Sequence, residues 1–136
     1  MQDKIFLDTN IILYAISTKD EIKHAIAKPI VLSDATISSQ VINEASSNCL
    51  KKLKFTEDMI EKFIDSSYNR YKVVEFSHKL FLKASSLRLK YNFSYYDSAI
   101  VAAALISNST ILYSEDMQHN LVVDDRLTII NPFSES

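Results

Sequence analysis

Glycine is missing altogether from the 136 residues of the chain. Phosphate-cradling loops of the Walker type and the dinucleotide-binding fingerprint depend on glycine, because only a backbone without a Cβ comes close enough to the phosphates. Both nucleotide-binding classes are therefore excluded. The one cysteine, Cys49, cannot close a disulfide within the chain, and it falls on the apolar face of a predicted helix as a small hydrophobe. A long apolar run is missing too. The longest uncharged one, Ala99 to Ile106, is far too short to span a bilayer, and Asp3 and Lys4 lead directly into a strand-like stretch. This predicts no signal peptide, no contact with a membrane and a cytoplasmic location. A formal net charge of -2 argues against coating nucleic acid by bulk electrostatics.

What is present fits one domain, residues 1–136, with enough apolar content for a real core. Lys4 to Leu7, Ala35 to Ile37, Lys72 to Phe76, Thr110 to Tyr113 and Leu127 to Ile130 read as short strands, with Ile30 to Leu32 as a weaker candidate. Helical patterns lie between them. Ile11 to Ile16 begins one helix; Thr18 to Lys28 forms another that Pro29 is expected to end. A third starts near Ser38 or Ser39, with Val41, Ile42, Ala45, Cys49 and Leu53 on one stripe. Thr56 caps a fourth, with Phe55 stapled on Ile60 and with Met59, Ile60, Phe63, Ile64, Tyr68 and Tyr71 expected in the core. Ser77 caps a fifth, with Leu80, Phe81, Ala84 and Leu87 inside and Lys79, Lys83, Arg88 and Lys90 outside; with Lys51, Lys52 and Lys54 these read as an ordinary solvated face or, alternatively, as a surface for a polyanion. Met117 to Asn120 reads as a short turn and Ser134 to Ser136 as a frayed tail. Strands alternating with helices predict an α/β fold, a mostly parallel sheet with helices on both faces.

The sixth helix, opened by Ser94-Tyr95-Tyr96-Asp97, is apolar on almost every face and so belongs in the middle of the domain. Asp97 then stands at the end of the core. Ser94-x-x-Asp97 is also the pattern of an ordinary N-terminal cap, and that reading stays open for Asp97 taken alone. Asp8 follows the first strand, at the sheet edge where ligands of parallel sheets bind. Asp8 or Asn10 could equally cap the helix that follows. Glu44 lies about 60° from Val41 around its helix, on the shoulder of the apolar stripe. Asp116 follows the strand ending at Tyr113, with Glu115 beside it as a rival for the same place.

If the sheet is parallel, Asp8, Glu44, Asp97 and Asp116 gather at one edge. Setting them aside turns the net charge of the remainder positive. Like charges packed together need a cation or raised pKa values, and an all-oxygen set suits Mg²⁺ or Mn²⁺ better than Zn²⁺. Such a site activates water against a phosphodiester. Tyr95 and Tyr96 beside it are of the kind that stacks on unpaired bases, or else packs on the core.

Phe6-Leu7-Asp8-Thr9-Asn10, Ser39-Gln40-Val41-Ile42-Asn43-Glu44, Tyr95 to Ala104 and Leu112 to His119 resemble, in order and spacing, the four acidic motifs of PIN-domain ribonucleases. The likeness is to VapC-like toxins of toxin-antitoxin pairs and covers essentially the whole chain. It implies a three-layer α/β/α fold and a Mg²⁺-dependent endoribonuclease, with Mn²⁺ as a substitute, that acts on structured RNA such as transfer RNA. It also implies a small antitoxin partner and a homodimer. Carried over by position, the acids and metal ligands are Asp8, Glu44, Asp97 and Asp116, with Asn10 and Ser114 supporting them. Asn120 stands where relatives often place a glycine. The alternative is a non-catalytic, receiver-like Mg²⁺-binding module, which needs paired acids after the first strand and a late lysine. Thr9-Asn10 follows Asp8, and no lysine lies beyond Asn92.

Overall fold

The computed structural model describes residues 2–134, so Glu135 and Ser136 of the expected tail lie outside the described residues. The elements run β1 (Ile5–Leu7), α1 (Thr9–Ile16), α2 (Glu21–Val31), β2 (Ala35–Ser38), α3 (Ser39–Lys52), α4 (Glu57–Arg70), β3 (Lys72–Val74), α5 (His78–Lys90), α6 (Tyr95–Ile106), β4 (Ile111–Tyr113), β5 (Val122–Val123) and β6 (Leu127–Ile130). One six-stranded sheet has the order β3-β2-β1-β4-β6-β5. All pairings are parallel except that of β5 with β6. From β1 the chain adds β2 and β3 on one side and β4, β6 and β5 on the other. The order thus reverses between β1 and β4, the kind of point at which open parallel sheets bind ligands at the carboxyl ends of their strands.

Helices cover both faces of the sheet in the three-layer α/β/α arrangement. Helices α1 to α4 pack in succession through the pairs α1–α2, α1–α3 and α3–α4, whereas α5 and α6 pack on each other. Helix α6 is enclosed as its composition demands, with every residue from Ser98 to Leu105 buried. Each large aliphatic side chain buried there contributes roughly 1.5–3 kcal/mol, and together they fix the helix rigidly. Its first turn alone emerges from the core. Among the described residues no helix is long and apolar enough to cross a membrane.

Several expectations are corrected by how the helices sit. Pro29 does not end α2, which continues to Val31, so the expected strand at Ile30 to Leu32 is instead the end of the helix and its C-cap, Leu32. The proline falls in the last turn, where it removes one ladder bond; Ala25, four residues back, is exposed, so its carbonyl can turn to water. Helix α4 packs principally on α3, so Ile60 is buried while Met59, Ile64 and Tyr68 are exposed. Phe81 is exposed as well and stacks on Phe76, 5.4 Å between centroids and nearly parallel. On the face of α5 expected to be solvated, Lys83 and Lys90 both pair with Asp124. The short β5 was not expected: Asp124 and Asp125, both at positive φ, turn it back antiparallel along β6. Positive φ occurs at five residues among those described, Lys54, Asn108, Asn120, Asp124 and Asp125.

Candidate active site

Asp8 terminates β1 and occupies the N-cap of α1, with its amide bound to the Tyr113 carbonyl of β4 at 3.0 Å. Asp8 therefore caps α1 and still faces the charges of Asp97 and Glu44. Its Oδ1 accepts from the Thr9 amide at 2.7 Å and its Oδ2 from the Ser114 hydroxyl at 2.7 Å. The residue is only 5 % exposed. Burial pushes its carboxyl up to about 6; the hydrogen bonds from Ser114 and Thr9 oppose this, and the charges of Asp97 and Glu44 reinforce it.

Glu44 projects from the shoulder of α3, as its angular position requires. Thr9 Oγ1 donates to Glu44 Oε2 at 3.1 Å, and Gln40 Nε2 donates to Oε1 at 2.6 Å. The same Gln40 amide also lies 3.4 Å from the Tyr96 carbonyl, joining α3 to the first turn of α6. Thr9 and Gln40 went unnoticed in the sequence. Gln40 stands four residues before Glu44 on one helix, a spacing at which side chains meet, so it was available to a closer reading.

At α6, Ser94 is the cap and accepts from the Asp97 amide at 3.2 Å. The Asp97 carboxyl is half-buried, and its pKa is raised by burial, against the pull of Ser94 and with the added repulsion of Asp116 and Glu44. Asp116 is exposed and accepts from Asn10 Nδ2 at 2.5 Å, so Asn10 supports an acid instead of capping α1. Glu115 is held by Tyr14, whose hydroxyl donates to it at 2.8 Å, and by Lys23. A cavity of about 280 Å³ opens beside Asp97 and Asp116, with Tyr91, Phe93 and Gln118 in its wall.

The four acids thus sense one another, Asp8 with Asp97 and Glu44, and Asp97 with Asp116 and Glu44. The hydrogen-bond donors described above for Asp8, Glu44 and Asp116 are neutral, and the ion pairs among the described residues involve only Glu115 and Asp124. The lysine required by a receiver-like pocket is therefore not at this cluster. Among the described residues no three potential ligands close into a ready metal cage. Mg²⁺ does not ask for one: it is commonly held by one or two carboxylates, waters and substrate phosphate oxygens. An all-oxygen set without a cationic partner fits such an ion.

The sequence model of the PIN domain family matches residues 5–123. The chain belongs to the PIN-domain family. This bears out the resemblance carried by the four acidic motifs. A search of curated proteins finds no match. Among solved structures, this PIN domain is similar to a toxin-antitoxin complex from Klebsiella pneumoniae, with TM-score 0.70, 18% identity and coverage of 96% of this chain and 98% of that one. It is similar to VapC20 of Mycobacterium tuberculosis, described as a sarcin-ricin loop cleaving toxin, with TM-score 0.68, 17% identity and coverage of 83% and 90%. A third is VapBC2 from Rickettsia felis bound to a promoter DNA fragment, with TM-score 0.65, 20% identity and coverage of 92% and 96%. At these identities the likeness establishes the fold of the PIN domain, and its chemistry rests on its own residues.

Proposed function

We propose that this PIN domain is a Mg²⁺- or Mn²⁺-dependent endoribonuclease and the toxin of a toxin-antitoxin pair, acting in the cytoplasm on structured RNA such as transfer RNA. The observation that carries the reading is the gathering of Asp8, Glu44 and Asp97 near the strand-order reversal, with burial and mutual repulsion raising the carboxyl pKa of Asp8 and of Asp97 and, among the described residues, no ion pair to these acids. Family membership and the toxins among its structural neighbours support it.

Asp8, Glu44 and Asp97 would hold the ion, and Asp116 would hold a second ion or orient the attacking water. When bound, such a cation offsets the carboxylates' charge against the scissile phosphate and acidifies the attacking water. The chain's own part is positional. Ser114 and Thr9 fix Asp8, Thr9 and Gln40 fix both oxygens of Glu44, and Asn10 fixes Asp116, so the acids are oriented before RNA arrives. A small antitoxin that brings a basic side chain to these carboxylates would silence them by charge pairing. A homodimer is the expected assembly.

The test is cleavage of structured RNA pools, transfer RNA included, by the purified protein with Mg²⁺, with Mn²⁺ and with excess chelator. Cleavage is expected with either ion and none in chelator. Undiminished cleavage in chelator would overturn the metal-dependent reading; binding without cleavage across all pools would overturn the enzyme. Expression of this protein alone should arrest growth, and co-expression with its small antitoxin should relieve the arrest.

A further inference from the structure

Behind Gln40, on the side of α6 that faces α5, lies a second cavity of about 300 Å³ lined by Gln40, Phe76, Phe81, Arg88, Tyr95 and Tyr96. Its four aromatic rings are unusually open to solvent: Phe76 is 47% exposed, Phe81 50%, Tyr95 58% and Tyr96 69%. Leaving that much aromatic surface wet forgoes burial energy, and none of these rings is needed to close the core. They are held in place nonetheless. Phe76 and Phe81 stack on each other, and Tyr95 and Tyr96 meet edge to face at 5.5 Å.

Arg88 supplies the charge. Its Nη1 donates to the fully buried Ser98 hydroxyl at 2.7 Å, and its guanidinium carbon stands 4.5 Å from the centre of the Tyr95 ring. Among the described residues it forms no ion pair with a carboxylate. It is a planar cation fixed against an aromatic face and left uncompensated. Gln40, itself buried, connects this cavity to the acids, because the amide that lines it also binds Glu44. Tyr96 is the immediate neighbour of Asp97.

We propose that this cavity is a subsite for one unpaired nucleobase, belonging to a nucleotide adjacent to the phosphate at the acids. The inference rests on the ribonuclease reading and names what the site grips beside the phosphate. Aromatic faces with an arginine plane are the surface that splayed-out RNA bases stack on, and the guanidinium of Arg88, bound through Nη1 to Ser98, keeps further donors in the same wall. The charge points the same way. Four carboxylates repel a polyanion, and Arg88 is a fixed positive group in the cavity on the other side of Gln40. A substrate read in this manner presents a single-stranded loop or bulge at the cleavage position, since a base within a helix cannot turn into the cavity.

The experiment measures the affinity of a short, unstructured, fluorescein-labelled RNA by anisotropy in Mg²⁺, with cleavage kinetics on structured RNA in parallel. Tyr96→Ala and Phe81→Ala are each expected to weaken binding roughly 5- to 100-fold, the usual cost of one lost base–aromatic stack. Tyr96→Phe and Phe81→Tyr should restore it, and abasic sites in the probe should abolish the difference between original and alanine variants. Both rings are exposed, and melting curves check that the variants fold. Unchanged affinity in both alanine variants, with cleavage intact, overturns the subsite and leaves the nuclease reading standing. Base-dependent binding without any cleavage by the original protein supports the subsite and sinks the nuclease. Conversion of a dimer to monomers in the alanine variants, with RNA affinity per protomer unchanged, would make the face a protein interface and overturn the proposal.

Discussion

The Ser114 hydroxyl donates to Asp8 Oδ2 at 2.7 Å, a contact between two buried side chains 106 positions apart in the chain. It ties the ends of β1 and β4 together at the point where the strand order reverses. A neutral donor is a weak counterweight to burial of a charge. The carboxyl of Asp8 consequently titrates at about 6 in the folded protein against an ordinary value of 3.8.

That shift sets the sign of a pH effect. Between these two values the folded protein keeps a proton that the unfolded chain has released, so the contribution of Asp8 to stability falls as pH rises from about 4 to about 6. The full penalty is present above that window and absent below it. In metal-free buffer, Asp8→Asn should therefore stabilise the protein above pH 6, by up to roughly 3 kcal/mol, with the difference closing towards pH 4. Denaturant melts of both proteins across this range check it. A variant destabilised equally at both ends would show that the hydrogen-bond geometry at Asp8 outweighs its charge.

Asp97 separates two roles by sign. As a helix cap alone, Asp97→Asn would cost on the order of 0.3–1 kcal/mol with or without metal. Ser94 already provides the cap, and Asp116 and Glu44 repel Asp97. The metal-free variant should therefore melt at the same temperature as the original or higher. Mg²⁺ should then stabilise the original protein more than the variant, through binding to the folded state. Equal loss of stability in chelator and in Mg²⁺ would return Asp97 to the cap.

Glu115 and Asp116 are neighbours with opposite commitments, one tied to Tyr14 and Lys23 and the other to Asn10. Asp116→Asn is expected to lower kcat by roughly 100-fold or more, the order of cost of misplacing an orienting group. Glu115→Gln should leave kcat/KM near that of the original protein. A reversed ranking in initial rates would place Glu115 at the acids.

Lys54 adopts φ 59 directly after α3, where the amides of Leu53 and Phe55 both return to the Cys49 carbonyl. A side chain with a Cβ costs about 1–2 kcal/mol in that left-handed conformation, and glycine gives back part of this as unfolded-chain entropy. Lys54→Gly should raise stability by about 0.5–1 kcal/mol, read as a higher melting temperature. A lower one would mean that the stem of the lysine packs against something worth more.

Signals contained within a few residues were legible in the sequence. Thr56, Ser77 and Ser94 each cap the helix expected, because a cap is written in three or four adjacent positions. The burial of α6 was legible for the same reason, its faces being uniformly apolar. What failed depends on neighbours remote in sequence. Met59 and Phe81 carry the right residue type at the right period, and only the position of α4 and α5 at the outside of the stack leaves them wet. The pairing of β5 requires β6 beside it, and Thr9 acquires its role only when α3 brings Glu44 within reach. That Asp8, Asp97 and Asp116 would approach one another was legible from their places at strand ends and a helix start, and Glu44 from its angle on α3.

The partnership of β1 with β4 has a consequence during synthesis. Asp8 leaves the ribosome 106 residues before Ser114, and Ser114 and Asp116 follow only after the sixth helix is complete. Contacts of such long sequence separation form late, since loop closure must precede them. Until β4 emerges, a nascent chain therefore carries these carboxylates dispersed. The cluster of Asp8, Glu44, Asp97 and Asp116 is assembled only once β4 and the turn after it have been delivered.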